Sequence, residues 1–310
     1  MQIWALVLDS FRESCDRKIF WVLLVISGVI TLSLACVGFD ENGWSFFFGL
    51  YTIDNEVYRL GNPEVQEFYG SLISGFLIDL YIGWIGVGVA LVATAGIFPN
   101  LMQSGTIDVI LAKPLGRWKL FFGKYVGSLG FVFLHASVFI LSTFLVIGWR
   151  ADIWLWGYLW CIPLLVLLFS YVYSFCVLVS IRTKSTLSSL LIAFGFWFAC
   201  FLVQNLHSTL MIESVWGEQG KLQQAVAVTR AVLPKTSDVA VIAGELAGAG
   251  SVFDFLTNVG VELNDDELQA GREAESAVTG VSIPLSVGSS LGFEAVVLLI
   301  AGILFRRRDF

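Results

Sequence analysis

Six apolar runs leave this chain few ways to fold. Residues 19–39, 76–98, 122–147, 153–181, 187–206 and 283–305 each reach the roughly 20 residues that a helix needs to cross about 30 Å of hydrocarbon. Hydrophobic residues make up 57% of the 310-residue chain, charged residues 14%, and the mean hydropathy is +0.81. The predicted fold is an all-α polytopic membrane protein with six transmembrane helices. The fourth run is long and contains Pro163, which predicts a tilt, a kink or an interfacial turn at its start.

The segments between the runs refine this plan. In residues 1–18, Ile3, Trp4, Val7, Leu8, Phe11 and Cys15 share one helical face and Gln2, Asp9, Arg12, Glu13 and Asp16 the other, the pattern of an amphipathic interfacial helix. No basic start precedes the first apolar residues, so a cleaved signal peptide is not expected. Residues 40–75 mix acids with Trp44, Phe46, Phe47, Phe48 and Tyr51, and part of this segment is expected to pack on the outer membrane surface. Residues 207–282 show helical patches at 222–232 and 239–246, a Gly- and Ala-rich joint at 247–251 and an acidic stretch near Asp265, Asp266 and Glu267. They predict a helical extracytoplasmic cap. The plan is therefore 1–18, then five spans over 19–206 with a loop at 99–121, the cap at 207–282, and the last span with a basic tail at 283–310.

Charge sets the orientation. With six spans both termini share a side, and that side collects twelve basic residues against five acids, while the other holds six against eighteen. Lys and Arg near span ends favour the cytoplasm, so both termini are expected there. Trp149, Trp154, Trp156, Tyr158 and Trp160 crowd the outer start of the fourth span as an aromatic belt would. The net charge of −7 does not favour nucleic acid as a ligand.

Few residues are equipped for chemistry. The five cysteines form no CxxC pair, and with His135 and His207 as the two histidines a metal site or hydrolytic triad is hard to assemble. No cofactor is implied. No GxxxxGK[ST] phosphate loop is present, so the chain is not expected to be its own ATPase. Glu294 lies near the middle of the last span, where a carboxylate is costly unless protonated or paired. It is a candidate pathway or coupling residue, or else a neutral hydrogen-bonded carboxyl. His135, also mid-span, is a second pathway candidate, and its ordinary role would be a hydrogen bond between helices. Asp79 lies close enough to the outer end of the second span to reach water. Gly123 with Gly127, and Gly288 with Gly292, form GxxxG pairs that permit close helix approach.

The polar break at 99–121 stands out. Within it, residues 101–112 carry Leu101, Met102, Ile107, Val109, Ile110 and Leu111 among Gln103, Ser104, Thr106 and Asp108, too short and too polar to cross a bilayer. A short helix is expected to stop near Pro114. Lys113, Arg117, Lys119 and Lys124 then place positive charge at the membrane surface, where they are expected to anchor to phospholipid headgroups.

The residues SGTIDVILAKPLGRWKLFFGKY after the second span, the ending RRRDF and the triplet Leu233, Pro234, Lys235 together resemble the membrane subunit of a type-two ATP-binding-cassette (ABC) exporter. The chain is most similar to the permeases grouped with multicopper-enzyme maturation. That resemblance implies a permease in the plasma (inner) membrane with a separate ATPase subunit and a second permease copy as partners. It also implies a cytoplasmic coupling helix that includes Leu101, Gln103, Gly105, Thr106, Ile107, Asp108 and Leu111. Family members commonly carry charged residues just ahead of the Gly-Thr pair, where Asn100 and Gln103 stand here. Two other readings remain open: an ion-coupled transporter or channel that uses Glu294, and a membrane scaffold without transport.

Overall fold

The computed structural model describes residues 18–103, 116–214, 221–248, 264 and 282–308. The amphipathic segment at 1–17, most of the polar break and the acidic stretch near Asp265 lie outside the described residues. Helix α1 spans Lys18–Cys36. Its 19 residues extend about 28 Å at 1.5 Å each, close to one hydrocarbon thickness. Its length falls short of the five longer apolar helices, Pro63–Leu101, Arg117–Ala151, Trp156–Thr183, Thr186–His207 and Ile283–Arg307, which are long and apolar enough to cross a membrane.

After α1 the chain forms a sheet that the helical pattern did not announce. Strands β1 (Val37–Asp40), β2 (Gly43–Phe46) and β3 (Tyr51–Asp54) form an antiparallel meander, with Val37 opposite Phe46 and Gly43 opposite Asp54. Gly43 adopts φ +141°, and a Cβ there would meet the backbone of Ile53 and Asn55 at 2.5 Å. Phe39 is buried at the centre of an aromatic cluster, 4.6 Å from Trp44, 5.6 Å from Phe68 and 5.6 Å from Tyr69 between ring centres. Part of the aromatic content of residues 40–75 is thus used inside the protein rather than on a membrane surface. Phe47, Phe48, Leu50 and Tyr51 stay exposed.

Helix α2 runs from Pro63 to Leu101 and starts well before the apolar run at residue 76. Residues 63–75 are amphipathic, with Val65 and Tyr69 buried while Glu64 and Glu67 are exposed. Averaged hydropathy therefore hides this part of the helix. Between Ile73 and Gly86 the helix is π-helical, with i→i+5 closure, before it returns to α geometry at Val87–Thr94. Helix α3 (Arg117–Ala151) ends at Asp152 in the left-handed conformation. From its last turn Arg150 donates to Ser45 O at 3.3 Å and so ties the sheet to the bundle.

The fourth span is begun by a 3-10 turn, Trp156–Trp160, that leads into α4, Cys161–Thr183. Pro163 lies in the first turn of α4, where a missing N–H is harmless. The four tryptophans near this start are exposed, but Tyr158 is buried and its hydroxyl lies 3.1 Å from Thr143 Oγ1. It is a core residue and not part of the aromatic belt. Helix α5 (Thr186–Ser214) follows across a left-handed Lys184. Then come α6 (Lys221–Val232), α7 (Thr236–Ala247) and α8 (Ile283–Arg307).

Contacts along the helices fix their directions. Phe20 and Thr31 of α1 meet Phe131 and Ser142 of α3, so these two run parallel. Tyr81 and Phe98 of α2 meet Phe139 and Phe121, so α2 runs against α3. Glu294 and Arg308 of α8 and its tail meet Ser170 and Ile181, so α8 runs parallel to α4. Lys18, Arg117, Lys119, Arg182, Lys184, Arg306, Arg307 and Arg308 therefore gather at one end of the bundle, and the sheet at the other. The two are called the basic end and the sheet end below.

Helices α6 and α7 form a hairpin whose turn is let into the bundle. Pro234, Lys235 and Thr236 at the turn are buried. Buried irregular backbone needs polar partners from the protein. Gln204 of α5 supplies two: its Nε2 donates to Pro234 O at 3.0 Å and its Oε1 accepts from Ser237 N at 2.7 Å. Ser290 of α8 accepts from Lys235 N at 2.9 Å. Arg230 pairs with Asp238 at 2.9 Å, and Ser286 donates to the same carboxylate. Lys235 donates its ammonium to Ser289 Oγ at 2.9 Å. Burial pushes its pKa down, the Asp238 carboxylate opposes that shift and the Arg230 charge adds to it.

Candidate functional site

The polar break leaves the bundle through two roots at the basic end. On the first, α2 closes with the turn Ile97–Leu101. Leu101 is 2% exposed and Met102 is buried, while Gln103 is exposed with its side-chain amide 3.5 Å from Asn100 Oδ1. Leu101 therefore packs its apolar surface inside this chain. Gly105, Thr106, Ile107, Asp108, Leu111 and Lys113 lie outside the described residues.

The second root is the start of α3. Phe121 is buried 5.4 Å from the Phe98 ring, so the two roots touch. Trp118 lays its ring on Gly302 of α8 so closely that a side chain there would overlap it. Arg117 donates to the carbonyls of Arg306 at 2.7 Å and Arg308 at 2.8 Å. A cation at these last carbonyls complements the negative end of the α8 dipole. Arg308 reaches back to Ile181 O and to Met102 Sδ. The basic tail thereby clamps α3, α4 and the end of α2 together. Lys119 is exposed. Lys124 is 3% exposed and lies on the inward face of α3, where Gly123, Tyr125 and Gly127 are also buried.

Deeper in the bundle, Glu294 is 9% exposed. Tyr125 donates to its Oε1 at 2.8 Å and Ser170 to its Oε2 at 2.9 Å. Each donor also has a backbone carbonyl in reach: Ser170 O lies 3.2 Å from the Tyr125 hydroxyl, and Leu167 O lies 2.8 Å from Ser170 Oγ. Both hydroxyls can therefore point at an ionised carboxylate or turn to the carbonyls when Glu294 is protonated. For this reason Glu294→Leu is expected to lower unfolding stability by only about 1–2 kcal/mol, and Glu294→Gln by less. Thermal denaturation in detergent checks this, and a loss above about 3 kcal/mol would show that the hydroxyls have nowhere to turn.

His135 is 2% exposed and belongs to a different network. Its Nε2 lies 3.4 Å from the Tyr81 hydroxyl, which is itself 2.7 Å from Ser27 Oγ. Its Nδ1 has no hydrogen-bond partner among the described residues. Ten residues of α3 separate His135 from Tyr125, about 15 Å along the helix. The two pathway candidates thus join α1, α2 and α3 at one level and α3, α4 and α8 at another.

Sequence reading did not single out Tyr125, Ser170, Gln204, Arg230 or Asp238. Gln204 alone carried a signal, as a polar residue inside an apolar run. Among the described residues no group of three or more His, Cys, Asp or Glu could hold a metal ion.

The helical bundle, with five helices long and apolar enough to cross a membrane among the described residues, fits a membrane protein. Comparison with curated proteins found no match. A family described as "ABC-2 family transporter protein" matches residues 4–310, nearly the whole chain. This polytopic membrane protein therefore belongs to the ABC-2 transporter family, as a transmembrane permease.

Proposed function

We propose that the chain couples ATP hydrolysis by a separate ATPase subunit to export, or to mechanical work, across the plasma membrane. In this reading the basic end faces the cytoplasm, residues 101–112 form the coupling helix, and a second permease copy completes the unit. The observation that carries it is the clamping of both loop roots. A force on a loop with loose roots is lost in bending, whereas Leu101 and Phe121 pass it directly into α2 and α3. Through Arg117 and Trp118 it also reaches α8.

The test is copurification with an ATPase followed by transport or ATPase assays on Gly105→Trp and Asp108→Lys. Both variants are expected to lower coupled activity about tenfold, equivalent to about 1.4 kcal/mol of coupling, while permease levels in the membrane hold. Normal ATPase binding and normal transport in both would remove the coupling-helix assignment. The Glu294 network favours a second reading, an ion-coupled transporter. Flux driven by a proton or sodium gradient without ATP, and abolished in Glu294→Gln, would support that one instead.

A further inference from the structure

A cavity of about 410 Å³ opens at the basic end, between the last turns of α4 and α8. Arg182 lines it from α4, and Arg307 and Arg308 line it from α8 and its tail. Ile181 and Leu304 supply its apolar part, and among the described residues no acid lines it. The two helices run parallel, so both C-termini arrive on one side and bring the three guanidiniums together.

Arginines in a last helical turn ordinarily serve the helix itself, because they answer the free carbonyls and the negative end of the dipole. Here other groups hold that role. On α4, Lys184 N donates to Ser180 O at 2.9 Å and Arg308 donates to Ile181 O. On α8 and its tail, Arg117 takes the carbonyls of Arg306 and Arg308 at 2.7 and 2.8 Å. Arg308 makes its bonds to Ile181 O and Met102 Sδ through Nη1, one nitrogen of a group with five N–H donors. Arg182 and Arg307 are exposed, and among the described residues no hydrogen bond or ion pair holds either of them. Like charges lining one cavity repel one another, and an anion between them relieves that repulsion.

The lining selects the anion. Guanidinium forks match the oxygens of a phosphate and bind them through parallel, charge-assisted bonds. A carboxylate offers two oxygens in one plane, whereas a phosphate spreads its oxygens in three dimensions and can meet guanidiniums from two helices. Ile181 and Leu304 give the cavity an apolar side, which suits glycerol or the start of an acyl chain. The volume falls in the range of small-ligand sites, and basic pockets between helix ends at a membrane surface take anionic headgroups through such contacts.

We propose that this cavity binds a phosphate group, presented by an anionic lipid headgroup or by a soluble phosphate ester. Arg117, Lys119 and Lys124 do not line it, so the site is separate from the cations at the loop root. The proposal goes beyond the ATPase reading and stands without it, because this chain alone forms the cavity.

The first arm of the test releases the full chain from nanodiscs of equal phosphatidylglycerol and phosphatidylcholine into native mass spectrometry. The chain is expected to keep one phosphatidylglycerol with at least about tenfold preference over phosphatidylcholine, whose own cation opposes the arginines. Arg182→Gln and, independently, Arg307→Gln should each cut that preference at least about threefold with circular dichroism unchanged. Two variants are used so that a folding failure in one leaves the other as the test. Lys18→Gln removes an exposed cation at the same end that does not line the cavity, and the preference should hold in it.

The second arm titrates glycerol 3-phosphate into the full chain in phosphatidylcholine discs and follows it by calorimetry. A soluble ester held by these arginines is expected to saturate with a dissociation constant on the order of 1 mM, and to weaken in the same two variants. Selective retention of phosphatidylglycerol assigns the site to a lipid headgroup, and glycerol 3-phosphate binding without that selectivity assigns it to a soluble ester. The proposal is overturned if neither probe binds, if either folded arginine variant binds as the unaltered chain does, or if Lys18→Gln loses as much as they do.

Discussion

Gly157→Ala is expected to undock α7 from the bundle. Gly157 sits in the 3-10 turn before α4, and a Cβ there would overlap the carbonyl oxygen of Leu246. Both contacting groups are backbone, so no rotamer change relieves the clash. Overpacking of a well-packed site costs about 1–3 kcal/mol and sometimes more, and a backbone clash belongs at or above the top of that range. Helix α7 buries Val239, Ile242, Ala243 and Ala247, so displacing it also exposes apolar surface. Faster hydrogen exchange over Thr236–Ala247 and a lower melting temperature should follow. Gly244→Ala on the same helix, where a Cβ meets nothing within 4 Å, is the matched control. Protected amides and an unchanged melt in Gly157→Ala would show that the turn gives way easily.

Asp238→Ala should be nearly as damaging, for an electrostatic reason. Its carboxylate is 4% exposed and accepts from both Arg230 and Ser286. Removing one member of a buried pair strands the other charge and costs about 3–5 kcal/mol. The Arg230 side chain is 23% exposed and can turn partly to water, so a loss near about 3 kcal/mol is expected. Replacing both partners at once, Arg230→Met with Asp238→Leu, should restore most of that stability, because no charge is left behind. If the double variant were as unstable as the single one, the pair would be holding the hairpin by shape and not by charge.

The spans were legible because apolar runs about 20 residues long admit one solution in a bilayer, and charge sorting along the chain matches the basic end of the bundle. What stayed hidden follows from three physical causes. The sheet at Val37–Asp54 depends on a two-residue turn into Gly43 and on alternating Gly43, Trp44, Ser45 and Phe46, a period-two signal too short to compete with the spans around it. The first turns of α2 carry acids on one face, so hydropathy began that helix too late. At the candidate site, the residues that matter most in the described structure are ordinary ones, Phe98, Phe121 and Trp118, and pairing across more than 180 residues, as between Arg117 and Arg306, has no local signature.

The π-helical stretch also bears on how this chain can change length. Losing one residue from an α-helix turns everything beyond it by about 100°, so a deletion inside α4 would swing Ser170 off Glu294 and the Tyr173 hydroxyl off Ser128. Ile73–Gly86 is wound with more residues per turn than its neighbours, and one lost residue there can be absorbed by tightening a turn to i→i+4. Insertions and deletions in α2 are therefore expected to collect in this stretch, while Val87–Leu101 keeps its facing and the loop roots keep their grip.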